Sequence, residues 1–216
     1  MTENQAKTIA NELLAIEAVT LNPVEPFTWA SGLRAPIYTD NRLIVSHPET
    51  RTKVAQEMAA TIREQFPEAE VIAGTATAGI PHASIVAHLL GLPMVYVRSG
   101  EKDHGKKNVI EGEFEKGAKV VMIEDLISTG QSVISAAEFV EDYEGDVIGC
   151  VAIFNYLLNK SKVAFEQVDY PLVTLTDYQT LVDVATEAPE LIHYKETLEE
   201  WYQDPVLWSD QFASFI

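Results

Sequence analysis

Residues 119–132 read Lys-Val-Val-Met-Ile-Glu-Asp-Leu-Ile-Ser-Thr-Gly-Gln-Ser. Val120 to Ile123 is a continuous apolar run, the pattern of a strand buried on both faces. Glu124 and Asp125 set two carboxylates where that strand is expected to end. Ser128, Thr129 and Gly130 form a tight polar turn, and Val133, Ile134, Ala137 and Val140 repeat at helical spacing directly after it. Strand, acidic pair, hydroxyl-and-glycine turn and helix start together make an anion site. Backbone N–H groups of the turn and the helix N-terminus can hold a phosphate. The carboxylates stand where ribose hydroxyls or a hydrated Mg²⁺ would sit.

Outward from this stretch the same alternation recurs. Val71 to Gly74, Met94 to Val97, Asp146 to Phe154 and Leu172 to Leu175 read as further strands. Between them fall a helix through Leu90 that stops at Gly91 and Pro93, and a short one over 160–168. Thr176 and Gln179 are expected to cap another helix, carrying Leu181, Val184 and Ala185. Five apolar runs separated by helical patterns predict βαβ units, hence an α/β fold with a central parallel sheet flanked by helices. Ligands of such sheets bind beyond the carboxyl ends of the strands. Residues 74–79, 98–107 and 124–132 all fall there. Thr75-Ala76-Thr77-Ala78-Gly79-Ile80-Pro81 is a small-residue turn that lets backbone approach a ligand, or a helix pack closely on a strand.

Upstream, residues 3–19 read as an amphipathic helix with Ile9, Leu13, Leu14 and Ile16 on its apolar face and a Thr2/Gln5 capping box. Prolines and Gly32 exclude helix from 23–42, while Phe27 to Trp29 and Pro36 to Thr39 suit short strands. Ser46 and Glu49, with Pro48 in the first turn, predict a second capping box and a helix to about Gln65. The acidic C-terminal region offers Trp201, Trp208 and Phe212 for packing onto the body.

The chain's 216 residues are enough to bury a sizeable core. Its formal net charge of −18 argues against a nucleic-acid surface and against anionic membrane. If the ligand is a polyanion, the few cations must gather at its site, and they do. Arg98, Lys102, Lys106 and Lys107 are four of the 15 Lys and Arg residues, with His104 among them. Clustering like charges costs repulsion energy, so the run 98–108 invites a functional reason; without apolar residues it is expected to be mobile and exposed. Cys150, the single cysteine, lies in an apolar run and reads as a buried, inert thiol. No signal peptide and no run of ~18 apolar residues is visible, so the expected location is cytoplasmic.

Glu-Asp-Leu-Ile-Ser-Thr-Gly at 124–130 resembles the phosphoribosyl pyrophosphate (PRPP) signature of type I phosphoribosyltransferases. With Leu126 and Ile127 between acids and hydroxyls, it looks most like the orotate phosphoribosyltransferase version. Phe-Thr-x-x-Ser-Gly-x-x-x-Pro-Ile-Tyr-x-Asp-x-Arg at 27–42 resembles that family's hood motif, which helps enclose the pyrimidine. Gly-Thr-Ala-Thr-Ala-Gly-Ile-Pro at 74–81 matches its pyrophosphate loop. Arg-x-x-x-Lys-Asp-His-Gly at 98–105 resembles its flexible catalytic loop, which closes over pyrophosphate and can act across a dimer interface. The resemblance runs from the hood to Thr-Leu-Thr-Asp-Tyr at 174–178.

What the resemblance implies is a single domain over 1–216, with an N-terminal helix and hood (1–42) and an α/β core with C-terminal helices (43–216). It implies Mg²⁺-dependent transfer of phosphoribosyl from PRPP to orotate in pyrimidine synthesis, by a cytoplasmic homodimer with shared sites. Lys102, His104 and Asp125 become the expected catalytic residues. Arg98, Lys102, His104, Glu124, Asp125, Leu126, Ile127, Ser128, Thr129, Gly130, Gln131 and Ser132 become the expected PRPP contacts, with Ser128 also near orotate. Mg²⁺ usually keeps waters and substrate phosphates, so no protein ligand is named. Asn155-Tyr156 replaces an Asp-Arg pair whose arginine meets the orotate carboxylate in other members, leaving Arg34 or N–H groups of 27–38 to do so. Two rival readings are a purine or uracil phosphoribosyltransferase and a PRPP-sensing regulator. The hood motif and the Leu-Ile pair speak against the first, and the absence of a basic face against the second.

Overall fold

A computed structural model of the chain describes residues 2–98 and 109–213, with side chains through 211. Its centre is a six-stranded sheet in the order β10-β9-β8-β5-β6-β7. These strands are β5 (Val71–Thr75), β6 (Met94–Val97), β7 (Ile110–Glu111), β8 (Lys119–Ile127), β9 (Asp146–Asn155) and β10 (Leu172–Asp177). Five run parallel, as the five apolar runs require. The two-residue β7 is antiparallel to β6, with Tyr96↔Glu111 and Val97↔Ile110 in register. It is too short to carry a periodic pattern, and only its pairing makes it a strand.

Alternate residues of β8 and β9 feed two cores. Val121, Ile123, Val151 and Ile153 pack under α1 (Glu3–Ala15), α2 (Pro48–Gln65), α3 (Gly79–Leu90) and α6 (Tyr178–Ala185). Val120, Met122, Cys150 and Ala152 pack under α4 (Gln131–Asp142), with Phe165 of α5 (Asn159–Phe165) against the same cluster. Both faces are covered, which is why these strands are apolar throughout. Cys150 is fully buried, and burial raises its thiol pKa, as an inert core thiol should show.

Four helix starts and ends differ from expectation, among them α5, which stops at Phe165 rather than at 168. The Thr2/Gln5 capping box forms, but α1 stops at Ala15, because Val19–Leu21 (β1) pairs antiparallel with Ile37–Thr39 (β4). Ser46 does not cap α2. Residues Asn41–Ser46 wind into a 3-10 turn, leaving His47 at the N-cap with no side-chain bond and Pro48 as the first helical residue. At α6 the cap is Asp177, which accepts from Thr180 N–H at 2.9 Å, because β10 runs through Thr176. The stop at Gly91 holds, with φ +68° in the left-handed region.

The remaining hood strands, β2 (Phe27–Thr28) and β3 (Arg34–Ala35), form a small antiparallel pair. C-terminal helices α7 (Lys195–Gln203) and α8 (Pro205–Ala213) close on it. Trp201 Nε1 donates to Arg34 C=O at 3.3 Å, and Arg34 N–H donates to Ser209 Oγ at 2.9 Å. Trp201 and Trp208 are buried as expected, and the side chain of Phe212 lies outside the described residues.

Candidate active site

Strand order reverses between β5 and β8. From β5 the chain steps through α3 to β6, and from β8 it steps the other way through α4 to β9. Such a switch point opens a crevice at the carboxyl ends of the strands.

Here β8 outruns its neighbour. Pairing with β5 ends at Gly74↔Ile123, whereas pairing with β9 continues to Ile127↔Asn155. Glu124 and Asp125 therefore lie within the strand rather than at its end, a correction that follows from the length of β9. Glu124 is buried and Asp125 half-buried. Burial raises the pKa of both carboxyls, and the neighbouring Asp125 charge raises that of Glu124 further. Hydroxyl donors from a ligand would offset that desolvation. Leu126 and Ile127 point into the two cores, so any contact they make with a ligand is through backbone.

After β8, Ser128 is half-buried and Thr129 exposed. Gly130, at φ +79°, caps α4, and a Cβ there would meet the Phe165 ring at 2.8 Å. Gln131 N–H reaches Thr129 Oγ1 at 3.4 Å, and Ile134 N–H closes the first turn on Gly130 C=O at 3.1 Å. First-turn N–H groups have no carbonyl within their own helix, and Ser132 stands among them, exposed. Residues 128–132 thus form a turn that leads directly into the N-terminus of α4, at the carboxyl end of β8.

Across the crevice, Ala76 N–H bonds Val97 C=O at 2.9 Å, and the Ala76–Thr77 peptide is cis. Gly79 opens α3 directly against β8; a Cβ on it would lie 2.6 Å from Ile123 C=O. A cavity of about 190 Å³ lies between these parts, lined by Thr75, Ala76, Val97, Arg98, Ser132 and Ser135 among others. Arg98 Nε pairs with Glu111 Oε1 at 3.3 Å, and its N–H bonds Val109 C=O at 2.8 Å. Arg98 and Ser132 are therefore brought to one cavity. Lys102 and His104, with the rest of 99–108, lie outside the described residues.

The hood reaches this site through residues 40–42. Asn41 Nδ2 donates to Asp125 C=O at 2.7 Å. Arg42 forks onto Asp40 at 2.6 and 2.9 Å and holds its carboxyl below the usual range. Asn41 was not singled out from the sequence; its only signal was its place inside the hood motif, between Asp40 and Arg42. Tyr156, in the position of the family's carboxylate-binding arginine, is buried. Its ring centroid lies 4.8 Å from that of Trp29 and 5.3 Å from that of Phe154. It wedges the hood against the strand ends and offers no cation. Among the described residues no three His, Cys, Asp or Glu side chains converge as a metal site.

A phosphoribosyl transferase domain model matches residues 44–186, a span containing both loops of the crevice and the acidic pair. Fold and cradle together define a type I phosphoribosyltransferase. Over 204 residues the chain is 57% identical to an orotate phosphoribosyltransferase of Enterococcus faecalis, covering 94% of this chain and 97% of that one. It belongs to the orotate phosphoribosyltransferase family. Among solved structures, the orotate phosphoribosyltransferase of Aeropyrum pernix superposes with a TM-score of 0.74 at 23% identity, over 83% of this chain and 99% of that one. The enzyme from Mycobacterium tuberculosis H37Rv in complex with PRPP superposes with a TM-score of 0.63 at 22% identity, over 82% and 98%. These two likenesses carry the fold.

Proposed function

We propose that the chain transfers the phosphoribosyl group of PRPP to orotate, giving orotidine 5′-monophosphate and pyrophosphate. The observation that carries this is the acidic pair of β8 beside the Gly130 cradle at the switch point, in a chain 57% identical to a named family member. In the reaction the bond from C1′ to the pyrophosphate oxygen breaks, and its electron pair leaves with pyrophosphate. Orotate N1 supplies the pair for the new bond to C1′, and its proton is given up to the departing pyrophosphate or to water. Positive charge builds on the ribose between the two events.

The residues divide this work. The 5′-phosphate rests on N–H groups and hydroxyls of 128–132, at the helix N-terminus. Glu124 and Asp125 accept from the ribose 2′- and 3′-hydroxyls and, once ionised, favour positive charge on the sugar. Arg98, Lys102 and His104 receive the departing pyrophosphate, while Ser128 approaches the base. Mg²⁺, when bound to the pyrophosphate oxygens, would neutralise charge on the leaving group. Arg34 and the N–H groups of 27–38 remain the groups proposed for the orotate carboxylate. A homodimer with shared sites, action as a single domain and a cytoplasmic location belong to the same reading, supported by family membership. No helix of the described residues is long and apolar enough to cross a membrane.

The test follows orotate absorbance with PRPP and Mg²⁺ for wild type and Lys102→Ala. PRPP-dependent loss of orotate, reduced about 100-fold or more in the variant, supports both the reaction and the loop's part in it. Turnover of uracil or a purine in place of orotate would keep the PRPP site and overturn the acceptor. Light scattering on the eluted protein tests the dimer.

A further inference from the structure

Asp125 sits where the sheet has run out. Lys119 faces β5, because its C=O accepts from Glu70 N–H at 2.8 Å. Backbone groups alternate sides along a strand, so Asp125, six residues on, turns its N–H and C=O the same way. But β5 has already ended its pairing at Ile123, and nothing of the ladder remains to meet them. Two side chains take its place. Glu124 Oε1 accepts from Asp125 N–H at 3.1 Å, and Asn41 Nδ2 donates to Asp125 C=O at 2.7 Å.

Asn41 is almost wholly buried, and its Oδ1 has no hydrogen-bond partner. An amide in that position costs stability that an apolar residue of similar size would not. The contact also spans 84 positions in the chain, so no local turn requires it. It is one strut between the hood, which leads into Asn41 from β4, and the strand that carries both carboxylates.

We propose that Asn41 is a positioning residue of phosphoribosyl transfer: its amide replaces the missing strand partner of Asp125 and holds the acidic pair in register with the ribose. The inference rests on the proposed reaction and adds a residue to it. Asn41 touches no substrate. It acts through Asp125, and it ties the geometry of the ribose site to the seating of the hood.

The deciding variant is Asn41→Asp, equal in size but, when ionised, unable to donate to a carbonyl. The introduced carboxyl would face Asp40 and Arg42 from its own turn and Glu124 and Asp125 from β8. That largely acidic, buried setting keeps it protonated, and able to donate, at the acid end of the assay range. The expected result is a kcat/KM for PRPP about 30-fold below wild type at pH 8.5, with the gap narrowing to less than about fivefold at pH 6. Asn41→Ala should lose a similar factor at every pH. An Asn41→Asp profile parallel to wild type across that range overturns the proposal, since a purely structural role would not depend on the donor. If Asn41→Asp does not fold, Asn41→Ala decides: a cooperative melt with kcat/KM within about threefold of wild type also overturns it. Wild type that consumes no orotate would instead refute the reaction itself, and this inference with it.

Discussion

Gly79→Ala places a methyl group against a part of β8 that is held on both sides. The added Cβ would lie 2.6 Å from Ile123 C=O, 3.5 Å from its carbon and 3.6 Å from Glu124 Cα. Ile123 is held between β5 and β9, paired with Gly74 on one side and Val151 on the other. The helix must therefore move, and an ordinary contact of about 3.4 Å requires roughly 0.8 Å of displacement. Overpacking of this kind costs about 1–3 kcal/mol. For a chain of this length each kcal/mol lowers Tm by about 2–4 °C, so the melt should fall by about 2–12 °C. The peptide under pressure leads straight into Glu124, and a misplacement approaching 1 Å at a reacting centre costs about 100-fold. Calorimetric melts paired with kcat/KM for PRPP measure both effects. Ser84→Ala, exposed on the same helix, serves as control and should stay within about 0.5 kcal/mol of wild type. Gly79→Ala melting within 2 °C or so of that control, with kcat/KM within about threefold, would refute the close-packing argument.

Glu124 keeps its proton above the ordinary carboxyl value of 4.5, so the folded chain binds a proton there that the unfolded chain releases. Stability is thus lost as pH rises above about 4.5; Glu124→Gln should melt higher than wild type at pH 8, gain less at pH 5, and lose PRPP turnover. Calorimetry in buffers of different ionisation enthalpy should likewise detect proton release on PRPP binding to wild type, reduced in the variant. His82 has the opposite sign: burial depresses its pKa from 6.5 to about 4, and neither ring nitrogen has a partner. As pH falls from 6.5 towards 4, the unfolded chain gains a proton that the native one refuses, at up to about 1.4 kcal/mol per pH unit. His82→Leu should therefore flatten the acid limb of stability, and urea midpoints at pH 7.5 and 5 that shift equally in both proteins would exclude this. Ser209→Ala leaves Arg34 N–H without its acceptor, at a cost of about 1–3 kcal/mol. Because β3 belongs to the hood, KM for orotate should rise while KM for PRPP holds.

Much of the fold was legible because it is local. The Thr2/Gln5 capping box and the Gly91 stop depend on residues within a turn of one another. The continuous apolar runs of the central strands record burial on both faces. The run from strand through Ser128, Thr129 and Gly130 into a helix was also legible, because a turn and a helix start are built from adjacent residues. Tertiary structure decided what depends on distant partners. Glu124 and Asp125 lie inside β8 because β9 continues to pair with it after β5 has stopped. Ser46 lost its capping role because Asn41–Ser46 wound into a 3-10 turn, and Val19–Leu21 became strand because Ile37–Thr39 was there to meet it. Asn41 found Asp125, and Ser209 found Arg34, across 84 and 175 residues of chain. A sequence displays the hydrogen-bonding capacity of each residue, but which donor fills a vacancy at a strand edge is settled only when the edge and the donor fold together.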